Sequence, residues 1–268
     1  MTTVYFVRHA EADNSVRDGK IRPLTEKGIT DRALVTAYLQ DKKIDNILSS
    51  PFKRAIDTIA DFAEQNGLNI ETIGDFRERK SDSDWVRDTD FWPFMERQWA
   101  DFSYSLSDGE CLAEVQERNI AALNNVLSEH KGENIVIGTH GTALSTIINY
   151  YDDTYGFDDF MSMVNILPWV VKMDFNDNGC ISIEKIDLFN PITTLDFEKC
   201  VIRITNVGEL KAYKYTVIFS RYKDQWLYCR AKNVIPLKQR EGILKTAKRR
   251  LNRQNESCTK KPELLNMI

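Results

Sequence analysis

The chain has 268 residues, 42% of them hydrophobic and 28% charged, with a mean hydropathy of −0.41. That composition fits a globular protein with one large domain and a smaller one, and no apolar run approaches the roughly 18 residues of a membrane span. The formal net charge of −4 averages two unlike parts: residues 1–190 carry 19 Lys+Arg against 33 Asp+Glu, and residues 191–268 carry 17 against 7.

The chain opens on a buried-strand pattern, Val4-Tyr5-Phe6-Val7, which leaves no room for a signal peptide. The strand runs into Arg8-His9-Ala10-Glu11, so a guanidinium and an imidazole stand where it ends. In an open α/β sheet, ligands are held at that edge. Next, Leu48-Ser49-Ser50-Pro51 leads into a helical stripe of Ala55, Ile59, Phe62 and Ala63. Ser50 is the expected N-cap and Pro51 the expected first helical residue. Arg54 then falls in the first turn, beside free backbone N–H groups that suit an anion.

Downstream, Asp75-Phe76-Arg77-Glu78-Arg79 offers two carboxyl groups, and Trp85, Phe91, Trp92, Phe94, Trp99, Phe102 and Tyr104 crowd the next stretch. Those aromatics suit a small element with its own packed core or a surface for an apolar ligand. His130, in Glu129-His130-Lys131-Gly132, reads as the last turn of a helix closed by glycine. By contrast, Asn134-Ile135-Val136-Ile137-Gly138-Thr139-His140-Gly141 repeats the first pattern, a β-rich run ending on histidine and leading into a helix-like segment. Two of only three histidines thus share one address on two strands, and side chains leaving parallel strands at one edge converge.

Val170 to Phe175 and Cys180 to Ile186 read as a strand pair joined by Asn176-Asp177-Asn178-Gly179. The charge balance changes at Asn190-Pro191, which places a domain boundary there: 1–190 and 191–268. In the basic tail, Lys214–Ser220 and Gln225–Cys229 read as a hairpin, and 241–251 as a basic helix. The five cysteines, Cys111, Cys180, Cys200, Cys229 and Cys258, have neither CxxC nor metal spacing. They read as reduced thiols, and a cytoplasmic location is expected.

Four motifs in order carry a resemblance. Arg8-His9-x-Glu11 matches R-H-x-E; Ser50, Arg54, Ala55 and Thr58 match S-x-x-x-R-A-x-x-T; Gly109-Glu110-Cys111 matches G-E-S with cysteine for serine; and His140-Gly141 matches H-G. Over about residues 3 to 187 the chain resembles the histidine phosphatase, or phosphoglycerate mutase-like, superfamily. The resemblance implies an α/β fold, a mostly parallel central sheet flanked by helices on both faces, joined here to a small α+β C-terminal appendage. It implies phosphomonoester hydrolysis through a covalent phosphohistidine on His9, with Arg8, Arg54 and His140 binding the phosphoryl group. The planar forks of Arg8 and Arg54 would grip its oxygens, and no metal or cofactor is implied. Glu78 is the expected general acid, because the mutase branch carries a Glu-Arg pair that Glu78-Arg79 reproduces; Asp75 is the competitor. Glu11 is expected to hold an arginine or a backbone N–H. Arg22 lies near the site in the family layout but reads equally as a surface charge.

The alternatives are a 2,3-bisphosphoglycerate-dependent phosphoglycerate mutase and a non-catalytic regulatory or binding protein. Glu78-Arg79 continues as Lys80-Ser81-Asp82 rather than the mutase His-Tyr-Gly, which favours hydrolysis of a small phosphorylated metabolite. The tail resembles the opening of a Nudix hydrolase domain, with Glu241, Ala247, Arg249 and Leu251 matching its box. Arg250, Arg253 and Gln254 replace the metal-binding glutamates, so residues 191–268 read as a partial, degenerate Nudix-like segment that would repel magnesium. A basic helix also suits nucleic acid, but no binding motif accompanies it, so nucleic acid is not the expected partner. A half-domain leaves apolar strand faces to be covered by the first domain or by a second copy, a homodimer.

Overall fold

The computed structural model describes residues 1–82 and 88–189, and the backbone of four further strands at 192–197, 200–205, 217–222 and 225–230. Contacts divide the chain into two units, Met1–Phe189 and Asn190–Ile268.

The first unit is built on six strands: β1 (Thr2–Arg8), β2 (Asn46–Ser49), β3 (Ile70–Thr72), β4 (Asn134–Thr139), β5 (Trp169–Asn176) and β6 (Gly179–Ile186). Their spatial order is β3-β2-β4-β1-β5-β6. The first four run parallel, and β5 with β6 adds an antiparallel hairpin beside β1. Six helices pack on this sheet: α1 (Glu26–Leu39), α2 (Lys53–Asn66), α3 (Asp88–Ala100), α4 (Leu112–Glu129), α5 (Gly141–Tyr151) and α6 (Phe157–Met163). All seven residues of β1 are buried. Its pleat sends Val4 and Phe6 into one core with Leu123, Leu144 and Phe160, and Val7 with Tyr5 into another with Leu39, Ile59 and Phe62. A sheet buried on both faces under helices is the expected α/β fold.

Strand register brings the chemically informative residues to one edge. Arg8 pairs with Thr139 across β1 and β4, Ser49 with Gly138 across β2 and β4, and Thr72 with Ser49 across β3 and β2. The four parallel strands therefore end in line, and the next residues of each emerge together. The His9 N–H donates to Thr139 O at 3.1 Å, and the Ser50 N–H to Gly138 O at 2.8 Å. Gly138 permits the close approach of β2, since a Cβ there would lie 2.7 Å from Ser49 Oγ.

The start of α2 differs from the sequence expectation. Phe52 has extended backbone, the helix begins at Lys53, and no side chain caps it. Pro51 and Ser50 stay outside, and the Ser50 hydroxyl accepts the Phe52 N–H at 3.2 Å and meets His140 at 2.7 Å. The predicted stripe does face the core: Ala55, Ile59, Phe62 and Ala63 are buried. His130 lies just past the last turn of α4 as its C-cap and pairs with Glu133 at 2.8 Å.

Aromatic residues around α3 are mostly spent on packing. The Trp99 ring lies 5.5 to 6.0 Å from those of Phe102, Tyr155 and Phe160, while Phe94 and Met95 are buried. Met95, Trp99 and Phe91 thereby join the core that holds Val4, Phe6 and Leu144 rather than a separate core of their own; Trp85 lies outside the described residues. Among those described, no helix is long and apolar enough to cross a membrane.

In the second unit, β7 (Ile192–Phe197) pairs antiparallel with β8 (Cys200–Thr205), a hairpin not expected from the sequence. β9 (Val217–Tyr222) pairs antiparallel with β10 (Gln225–Arg230), the expected hairpin, with β9 running on to Tyr222 and β10 to Arg230; residues 214–216 lie outside the described residues. The Nudix-like helix at 241–251 lies outside the described residues.

Candidate active site

His9, at the end of β1, defines the centre. Its Nδ1 lies 2.7 Å from Ala10 O. A carbonyl oxygen only accepts, so Nδ1 carries the hydrogen and a neutral ring keeps its lone pair on Nε2. Burial pushes the imidazole pKa well below 6.5, and Arg54, Arg8 and Arg22 add to the shift against the opposing Ala10 hydrogen bond. Thr58 ties this turn to α2: its Oγ1 accepts from the Ala10 N–H at 2.9 Å and donates to Arg54 O at 2.7 Å. The sequence motif includes Thr58; its cross-link requires the fold.

His140 is fully buried and lies beside His9, the ring centroids 5.3 Å apart at 61°. Its Nε2 contacts Ser50 Oγ at 2.7 Å, whereas its Nδ1 is buried without a partner among the described residues. Burial, then Arg54, His9 and two further arginines, lowers its pKa well below 6.5 as well.

The two arginines differ from a pair of free forks. Arg8 Nη1 donates to Met163 O at 2.7 Å and Ile166 O at 3.3 Å, and Nη2 donates to Val164 O at 3.0 Å. Both terminal nitrogens thus reach the C-terminal end of α6, and among the described residues Nε is buried without a partner. Arg8 therefore presents Nε and its charge to the site while its Nη1 is engaged by the carbonyls of Met163 and Ile166. Gly141 makes room for that charge, since a Cβ there would stand 3.1 Å from Arg8 Nε. Arg54, in the first turn of α2, donates from Nη1 to Gly19 O at 2.6 Å and lies 5.1 Å over the Phe52 ring. Burial brings both guanidinium pKa values down to about 10, with Glu78 acting in the opposite direction. Both remain cations at neutral pH.

Glu78 reaches the same centre from the segment after β3. Its carboxylate accepts the Thr142 and Ala143 N–H groups at 3.2 Å and the Arg79 N–H at 2.8 Å. It therefore occupies the N-terminus of α5, where free N–H groups favour an anion. Asp75 instead meets Arg77 at 3.2 Å, with its side chain 55% exposed. Arg79 is buried against Gln98 and lies 4.9 Å over the Phe94 ring.

The surroundings supply further members. Arg22 donates to Val16 O at 2.8 Å and Asn14 Oδ1 at 3.2 Å, and its charge reaches His9 and Arg54. Glu11 takes the Thr25 hydroxyl at 2.9 Å rather than an arginine or backbone N–H. Glu110 accepts from Arg77, Arg118 and the Lys80 N–H, bracing the Glu78 segment from both sides. Arg118 carries no sequence signal, and Glu110 is visible there only as a motif letter.

The arrangement is a cluster of buried positive charge around one imidazole with a free Nε2, and a carboxylate at its margin. The family model of the histidine phosphatase superfamily (branch 1) matches residues 4–180. A "probable phosphoglycerate mutase", GpmB, of Yersinia pestis is 29% identical over 159 residues, which are 56% of this chain and 74% of that protein. Among solved structures, YhfR of Bacillus stearothermophilus has a TM-score of 0.59 at 25% identity, covering 68% of this chain and 95% of that one. A phosphoserine phosphatase of Entamoeba histolytica shares the fold with a TM-score of 0.55 at 19% identity, covering 68% and 96%. The site geometry and the match over most of the first unit lead to one conclusion: the chain belongs to the histidine phosphatase superfamily, branch 1.

Proposed function

We propose that the chain hydrolyses a small phosphomonoester through a covalent phosphohistidine on His9. The observation that carries this reading is the hydrogen bond from His9 Nδ1 to Ala10 O, which leaves Nε2 as a fixed nucleophile among buried cations. In the first step Nε2 attacks phosphorus, the ester P–O bond breaks, and the leaving oxygen takes a proton from Glu78. In the second, water attacks the phosphohistidine, gives its proton to Glu78, and inorganic phosphate leaves as Nε2 regains its lone pair. Arg8 Nε, Arg54 and His140 stabilise the charge on the transferring oxygens, so fixed guanidinium groups do what a metal ion does elsewhere. For Glu78 to donate, one carboxyl oxygen must turn from the α5 N-terminus towards the leaving group.

The mutase reading draws on the GpmB relative and the Glu78-Arg79 pair. The charge of α3 opposes it: Asp90 and Glu96 stand against Arg97, a poor setting for a second phosphate. Hydrolysis of p-nitrophenyl phosphate in excess EDTA tests the proposal. Wild type keeps its rate, and His9→Ala loses roughly 10,000-fold or more. A rate that disappears with EDTA, or survives in His9→Ala, overturns it. Faster turnover of 3-phosphoglycerate primed with 2,3-bisphosphoglycerate would favour the mutase.

A further inference from the structure

The Ser50 hydroxyl is fully buried, and among the described residues it has two hydrogen-bond neighbours: the Phe52 N–H at 3.2 Å and His140 Nε2 at 2.7 Å. The Phe52 N–H can only donate. His140 Nε2 is then the sole neighbour able to accept the Ser50 proton. With Ser50 as donor, Nε2 is unprotonated and a neutral imidazole must hold its hydrogen on Nδ1. With the opposite tautomer, the hydroxyl hydrogen would be buried without an acceptor, an arrangement folded proteins avoid.

His140 Nδ1 is itself buried and, among the described residues, unpartnered. The His9 ring, Arg8 and Arg54 lie around it, and none of them makes a hydrogen bond to Nδ1. We propose that Ser50 is a positioning residue that fixes His140 in the Nδ1–H tautomer, making Nδ1 the donor to a phosphoryl oxygen. The proposal rests on the reading of the site as one of phosphoryl transfer. The tautomer decides the sign of the interaction: an Nδ1–H attracts an anionic oxygen, whereas an Nδ1 lone pair repels it. The serine at the head of the S-x-x-x-R-A-x-x-T string thereby acquires a chemical task distinct from helix capping.

With three histidines in the chain, a long-range ¹H–¹⁵N correlation spectrum of the ¹⁵N-labelled full-length protein resolves each ring, with His130→Asn and His9→Asn completing the assignment. Wild-type His140 is expected as Nδ1–H, with that proton shifting when inorganic phosphate is added. An Nε2–H signal in wild type overturns the proposal without recourse to any variant. Ser50→Ala should populate the Nε2–H form and lower kcat/KM by about 10- to 100-fold, while Ser50→Thr restores both the tautomer and most of the activity. Ser50→Ala that keeps His140 as Nδ1–H, whatever its activity, shows that Ser50 does not set the tautomer and overturns the proposal. If His9→Ala retains hydrolysis while His140 is Nδ1–H and answers to phosphate, the phosphohistidine reading falls and the tautomer assignment stands.

Discussion

At the scale of single residues, the site depends on imidazoles kept neutral. Burial and nearby guanidinium groups push His9 and His140 well below 6.5. A lowered folded-state pKa means that the unfolded chain binds the proton first, so stability is full above about 6.5 and is lost as pH falls below it towards the folded values. Thermal unfolding should therefore occur at lower temperature at pH 5.5 than at pH 7.5, with a smaller drop in His9→Asn; equal drops would remove His9 from the account. The residues that bear charge chemistry are readable in the sequence because short strings at strand ends carry them. Ser50 is misleading there because a Ser-Pro pair before an apolar stripe is a strong cap signal, whereas its contact with His140 exists only in the fold. The anchoring of Arg8 is illegible for a related reason, since its partners are the backbone carbonyls of Met163, Val164 and Ile166.

At the scale of elements, one edge of the sheet is completed by a brace on its connecting segment. Glu110 meets Arg118 Nε and Arg77 Nη2, both at 2.8 Å, and the Lys80 N–H at 2.9 Å. Arg118 Nη1 donates to Arg77 O at 3.0 Å and also to Asp75 O. Burial alone would raise the Glu110 pKa, but Arg118, the Lys80 N–H and Arg77 outweigh it and hold the carboxyl below 4.5. Glu110→Gln weakens the grip on both sides of Glu78. It should cost about 1–3 kcal/mol of stability and lower kcat by roughly 10-fold with KM nearly unchanged, since a misplaced group loses rate before affinity. A rise in KM alone would assign the brace to substrate binding. The parallel strands are legible from apolar runs ending on histidine, whereas this brace joins residues 75–80, 110 and 118 with no periodicity to betray it.

At the scale of the whole molecule, the first unit contains every residue the proposed reaction uses. A chain ending at Phe189 should keep p-nitrophenyl phosphate hydrolysis within about 3-fold of full length, since its core and site are its own. Loss of folding or activity on that truncation would give the C-terminal unit a direct part in either. Sedimentation of both forms tests the homodimer expected from the basic tail, which predicts that only full length associates. The charge reversal near residue 190 is plain in the sequence; the β7–β8 hairpin is not, because Thr193, Thr194 and Asp196 break up the apolar pattern that marks a strand. The central claim remains chemical, that phosphate passes through His9 Nε2. Rapid quenching of the enzyme with a ³²P-labelled phosphomonoester, then peptide mapping, tests it most directly. The account predicts base-stable, acid-labile phosphate on the peptide containing His9 and none in His9→Ala; label on another residue, or turnover without any labelled enzyme, would contradict it.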